Sequence, residues 1–400
     1  MKKTMCFLLT LCTLAASTFF CFAKTACEYD SPDLTEPLPV SAAASAATPV
    51  VEVPCAVLME KETGKVLFEH NPHEKRSPAS ITKIMSLLLV MEAMDRGKLK
   101  ADTVITASEH ACSMGGSQIW LEPNEKMTVD ELLRAAVIAS ANDATVALAE
   151  AVAGSEEGFV ALMNKKAAEL KMNDTHFVNC SGLDADGHES SAHDIAVMSC
   201  ELLKHDRIKK YTKVWMDELR GGKSQLVNTN KLIRFYSGAT GLKTGTTSKA
   251  GFCVSGSAQK NEMELCAVVL GAADNNARFG TARKLLDYGF ANWKLSEVDV
   301  SNKLPKSIAV KGGCDSSVVP IAAGKGKYLL SSLDSSNLEV KVKLQDGVEA
   351  PLTKGQKLGT AEVYCNKKQI GSIDVVAEKG VERFTYFKAV ELLLAAALTL

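Results

Sequence analysis

RSPASITKIMSLLLVMEAMDRG, residues 76–97, places a serine and a lysine three positions apart, Ser80 and Lys83, at the start of an apolar run that ends on Gly97. The spacing of the apolar residues and the terminal glycine predict a buried helix. Residues three apart on a helix share a face, so Ser80 and Lys83 can meet. The same spacing recurs as SAQK, Ser257 to Lys260, inside an alternating run that reads as a strand. There, residues three apart point to opposite sides, so only the first pair can cooperate.

Outward from this helix the pattern is mixed. CAVLMEKETGKVLFEHN reads as two alternating runs around Thr63 and Gly64, a hairpin. Thr128 and Glu131 form a capping box that starts a second helix running to about Ser140. Alanine-rich helical patterns follow in DATVALAEAVAG and FVALMNKKAAELK. GLKTGTT, AGFCVSGSAQ and ELCAVVLGA then read as three successive strands before a helical NARFGTARKLLDYGFANW. This order predicts an α+β domain over residues 53–296, with helices covering a mostly antiparallel sheet. Over 297–379 the texture changes: LEVKVKL alternates strictly and TAEVYCNKKQIGSIDVVA reads as a hairpin, so a small all-β domain is expected.

A net charge of −1 over 400 residues supplies no basic surface for nucleic acid. Two lysines, an apolar run and Ala23 make residues 1–23 a secretory signal, and the Ala/Pro/Ser-rich residues 24–52 a flexible spacer. Export and an extracytoplasmic location follow as expectations. Residues 380–400 are nearly uncharged after Glu391, and the run is shorter than a bilayer span. It fits an amphipathic helix attached peripherally at a membrane surface, with a buried core helix as the alternative. Cleavage after Ala23 would leave nine cysteines, an odd number scattered without CxxC. Cys253 and Cys266 read as small buried apolar residues, and no essential disulfide, metal site or cofactor is expected, although export leaves a disulfide open.

Two further triplets accompany Ser80 and Lys83. Ser140-Ala141-Asn142 is an SxN at a helix end, and Lys243-Thr244-Gly245 is a KTG on an expected strand. SxN recurs at Ser335 to Asn337, whereas KTG occurs once. Taken singly, the serines also read as helix caps, the lysines as solvated charges and Asn142 as a turn former. The ordered trio is a stronger signal than any member.

The trio resembles the penicillin-binding proteins and serine β-lactamases. The flanking SPASITKIM, GGSQIWLEPNEKMTVDELLRAAVIASANDA, MNKKAAELKMNDTHFVNCSGLD and GLKTGTTSKAGFC are similar to the low-molecular-mass D-alanyl-D-alanine carboxypeptidases, over roughly Cys55 to Trp293. The resemblance implies a β-lactamase/transpeptidase-like domain, a following all-β domain and an amphipathic tail. It implies that Ser80 attacks the penultimate D-alanine carbonyl of a peptidoglycan stem peptide, and that β-lactams acylate the same serine. Lys83 would be the general base, neutral only if burial and the charge of Lys243 depress its pKa from about 10.4. Ser140 would relay the proton, Asn142 would bind the substrate amide, and Lys243 and Thr244 the terminal carboxylate. Gly245 would let the strand approach, and the backbone N–H groups of Ser80 and Thr246 would form the oxyanion hole.

Two rivals remain from the sequence. A class A-like β-lactamase needs a deacylating carboxylate, and Glu169 to Asn173 mimics that element's spacing, although it continues a helical pattern. A catalytically silent peptidoglycan-binding protein would keep the fold for recognition only.

Overall fold

A computed structural model describes residues 47–332, 337–345 and 347–391. The signal segment 1–23, most of the spacer, Ser335 and residues 392–400 of the tail lie outside the described residues. The centre of the larger domain is a five-stranded sheet whose pairings are all antiparallel. Its strands are β1 (Cys55–Glu60), β2 (Val66–His70), β3 (Ala239–Thr247), β4 (Gly251–Lys260) and β5 (Met263–Ala272). They lie side by side in the order β2-β1-β5-β4-β3, so β3, which carries the KTG triplet, is an edge strand.

The sheet is covered on both faces, which is why its inner strands are almost continuously apolar. In β1 the two-residue period sends Cys55, Val57 and Met59 into one core and Ala56 and Leu58 into the other. The first core is roofed by α1 (Lys83–Asp95), α2 (Val129–Ile138), α3 (Asn142–Ala153), α4 (Glu156–Glu169) and α5 (Ala192–Leu203). The second is closed by α6 (Asn275–Asn292) through Phe279, Leu285 and Leu286. Cys253 and Cys266 sit fully buried in the first core. They do more than fill space, because the Cys253 sulfur accepts from Gly271 N and Cys266 meets Ser255 Oγ at 3.4 Å.

Local signals fix the helix starts. Thr128 Oγ1 accepts from Glu131 N while Glu131 Oε2 accepts from Thr128 N at 2.8 Å, the expected capping box. Asp274 caps α6 by accepting from Ala277 N. One start differs from expectation: α1 begins at Lys83, and Ser80 lies before it on a 3-10 turn, Ala79–Thr82. Three residues per turn eclipse positions i and i+3, so this turn lines Ser80 up with Lys83 more directly than an α-helix would.

From Leu338 onward the chain is strand again. Leu338–Leu344 pairs with Lys357–Cys365, which pairs with Lys368–Ala377, both antiparallel. This β region has its own clusters, one around Val318, Leu358 and Val381 and another around Val363 and Val375. Trp293–Val298 leaves α6 and pairs with Gly326–Ser331, joining the two regions through a shared ribbon.

Candidate active site

Four elements converge on Ser80: its own 3-10 turn, the α2–α3 junction, the segment 179–184 and the β3 edge. Lys83 is fully buried, and its Nζ lies 3.0 Å from Ser80 Oγ, 2.6 Å from Asn142 Oδ1 and 2.6 Å from the Ser181 carbonyl. The amide oxygen and the carbonyl can only accept. A neutral amine has two hydrogens for those two groups and one lone pair left for the single partner able to donate, the Ser80 hydroxyl. The geometry therefore suits a proton moving from Ser80 to Lys83.

Electrostatics agrees with geometry. Burial pushes the Lys83 pKa down to about 7, against opposing contributions from Cys180 and Asp143. Lys243, also fully buried, is held well below the usual lysine range by burial first, then by repulsion from Lys83 and Arg278. Of the two causes anticipated from sequence, burial and the Lys243 charge, burial is thus the principal one at Lys83. Repulsion between the two amines is felt chiefly at Lys243, whose Nζ donates to the Thr244 carbonyl at 3.0 Å.

Glycine makes the close packing possible. A Cβ on Gly245 would lie 2.9 Å from both Ser80 N and Pro78 O, so no other residue lets β3 touch the nucleophile's turn. On the opposite side Gly182, at φ +87°, would put a Cβ 1.9 Å from the Ala79 carbonyl oxygen. Ser80 N is held between these two glycines. Ala79 and Ser140 both adopt left-handed backbone, at φ +49° and +62°, a conformation unfavourable for side chains and concentrated at functional sites.

The other expected residues are placed as follows. Ser140 is buried between α2 and α3, and no hydrogen bond of its hydroxyl is found among the described residues. Asn142, the first residue of α3, also donates through Nδ2 to the Gly115 carbonyl at 2.7 Å. Both ends of its amide are engaged, so binding a substrate amide requires exchanging one partner. Thr244 Oγ1 donates to Thr229 Oγ1. Thr246, exposed next to buried Gly245, donates through Oγ1 to the Gly245 carbonyl and is braced by Arg278 Nη1 at 3.2 Å. The look-alike Glu169 is exposed at the end of α4, ion-paired with Lys166 at 2.9 Å, and makes no hydrogen bond to this site.

Sequence reasoning missed four supporting residues. Asp143, directly after the SAN triplet, is completely buried and accepts from the backbone N–H groups of Ile119, Leu121 and Ala144. Arg278 also donates to the Gly245 and Cys253 carbonyls. Asp184 Oδ1 accepts from Ser77 Oγ at 2.9 Å and from Thr247 Oγ1 at 3.0 Å. Gly182 is the fourth. Asp143, Asp184 and Gly182 stand inside quoted stretches, ASAND and CSGLD, but nothing in their spacing announces a role.

A serine hydrogen-bonded to a desolvated lysine, beside a glycine-opened edge strand, defines a serine–lysine acyl-transfer site. The chain belongs to the D-alanyl-D-alanine carboxypeptidase family, whose model matches residues 42–274; the model of the C-terminal domain of penicillin-binding protein 5 matches residues 294–383. It is 43% identical over 342 residues to the D-alanyl-D-alanine carboxypeptidase DacF of Bacillus subtilis, covering 83% of this chain and 86% of that one. Penicillin-binding protein 5 of Haemophilus influenzae superposes with a TM-score of 0.74 at 29% identity, over 84% of this chain and all of that one. Penicillin-binding protein D2 of Listeria monocytogenes, solved in its ampicillin-bound form, superposes with a TM-score of 0.56 at 30% identity, over 61% of this chain and all of that one.

Proposed function

We propose that this protein removes the terminal D-alanine from peptidoglycan stem peptides through an acyl-enzyme on Ser80. The observation that carries the reading is the Lys83 amine, buried and bound to two acceptor-only groups, with its remaining position turned to Ser80 Oγ. Lys83 takes the hydroxyl proton as Ser80 attacks the penultimate D-alanine carbonyl. The backbone N–H groups of Ser80 and Thr246 hold the developing oxyanion. Ser140 passes a proton to the leaving D-alanine, whose carboxylate rests on Lys243 and Thr244. Water then hydrolyses the acyl-enzyme, and Asn142 steadies the acyl group's amide. Gly245 keeps β3 close enough for these contacts.

The test follows D-alanine and cross-linked dimer together from a pentapeptide stem. Wild-type protein should release D-alanine without dimer, and Ser80→Ala should release none. Benzylpenicillin should leave a stable adduct on the wild type and none on Ser80→Ala. Rapid penicillin turnover with no D-alanine release would instead favour a β-lactamase. Absence of both adduct and release would leave only a binding protein.

The proposal extends to place. The sequence of residues 1–23 supports export, and the exposed side chains of Phe384, Tyr386 and Phe387 support peripheral attachment to the outer face of the membrane through the tail. No helix among the described residues is long and apolar enough to cross a membrane. Protein ending at residue 383, which keeps Val381 in its β-region core, should lose co-sedimentation with anionic vesicles while keeping D-alanine release; equal sedimentation of both forms would rule out the tail as anchor.

A further inference from the structure

β3 is an edge strand, and its free edge faces the Ser80 turn. With the terminal carboxylate at Lys243 and Thr244 and the scissile carbonyl at Thr246 N, an extended substrate runs along β3 toward Thr247. Both chains advance about 3.3 Å per residue. The residue just before the D-alanine pair therefore reaches the level of Thr247 to Lys249, where the strand ends and turns into β4.

A pocket of about 240 Å³ opens there, lined by Lys75, Arg76, Ser77, Gly187, His188, Glu189 and Lys249. Its lining residue Ser77, three positions before Ser80, is tied through Asp184 to Thr247 at the end of β3, two positions before the lining residue Lys249. His188 adds no charge near neutral pH, because burial pushes its pKa down to about 4. It is held by Thr82 Oγ1 at 2.7 Å and by Val178 N at 3.0 Å. The lining thus carries three cations against one carboxylate. Lys75 is paired with Glu189 at 2.8 Å and Arg76 with Glu74, just outside the lining. Lys249 is exposed and makes no ion pair among the described residues.

We propose that this pocket is a substrate subsite, taking a carboxylate carried by the residue immediately before the D-alanine pair, with Lys249 as its charge partner. The proposal rests on the carboxypeptidase reading above and adds a preference at a position that reading leaves open. The ligand class follows from charge: the pocket offers an unpaired cation at the wall the peptide must pass, and no unpaired acid beside it in the lining.

The experiment compares two N-acetylated tripeptides, acetyl-glutamyl- and acetyl-glutaminyl-D-Ala-D-Ala, which differ in one charge at nearly constant shape. Wild-type kcat/KM should favour the glutamyl peptide about fivefold at low ionic strength, as fits a solvent-exposed pair. The ratio should fall to about one with added salt or in Lys249→Gln, and invert in Lys249→Glu. Benzylpenicillin acylation reports whether each variant is folded. A wild-type ratio near one, or a preference that both variants retain, overturns the subsite while D-alanine release from the glutaminyl peptide leaves the carboxypeptidase reading standing. No release from either peptide by wild-type protein overturns that reading, and the subsite with it.

Discussion

At the scale of the residue, activity turns on the protonation of Lys83. A base works only when neutral, so Ser80 acylation should rise with pH through about 7 and level off above it. The groups facing Lys83 are Ser80, Asn142 and Ser181 by contact, with Cys180 and Asp143 favouring its charged form. Asp143→Asn removes the only carboxylate among these, so the acid limb of the benzylpenicillin acylation profile should move to lower pH. The same change breaks a set of buried hydrogen bonds to the 119–121 backbone and should destabilise the fold by roughly 2–3 kcal/mol. A thermal shift without movement of the acid limb would make Asp143 structural only. Lys83→Arg, charged at every accessible pH, should abolish acylation. Ser80, Lys83, Ser140 and Asn142 were legible because spacing on helices is local. Asp143 was not, because its partners lie 22 to 24 positions away and a buried acid in a helical run looks like any surface acid.

At the scale of the element, the site is a junction rather than a pocket within one segment. The loop before α2 is clamped from two sides. Asp143 takes its N–H groups, while Arg220 donates to the Ile119 carbonyl at 2.8 Å and the Trp120 carbonyl at 3.3 Å. The loop's earlier part accepts from Asn142, whose backbone N–H donates to the Ser117 carbonyl at 2.7 Å. Gly245→Ala tests the opposing element. Its Cβ meets backbone atoms of the Ser80 turn, which cannot swing away as a side chain could. The strand must shift, which should destabilise by about 1–3 kcal/mol and misplace Thr246 N. Losing one oxyanion donor lowers kcat on the order of a hundredfold. Acylation by benzylpenicillin should fall similarly, while circular dichroism stays native; near-normal kcat would show that the turn yields. Sequence alone indicated strands and helices here because their periods differ. It could not indicate the left-handed Ala79 or the 3-10 turn, which pack against Gly182 and Gly245, nor the left-handed Ser140 where α2 gives way to α3.

At the scale of the whole molecule, the two cores of the larger domain both include the sheet, and the β region closes on separate clusters. Alternation in LEVKVKL exposed this division in the sequence, whereas the ribbon joining the regions was hidden because its pairing spans residues 293 to 331. Cores that share few apolar contacts unfold with partial independence. Leu295 and Leu329 pack on the larger domain, and Lys327 reaches Glu262 at 3.3 Å, an exposed pair of small effect. Calorimetry should therefore resolve two transitions. Acylation of Ser80 by benzylpenicillin adds contacts only in the cleft between α3 and β3, so it stabilises the folded larger domain relative to its unfolded chain. The transition belonging to that domain should rise by several degrees and the other should stay put, with Ser80→Ala showing neither change on adding penicillin. A single transition that shifts as a whole would mean the ribbon couples the regions into one cooperative unit, and the β region would then respond to what happens at Ser80.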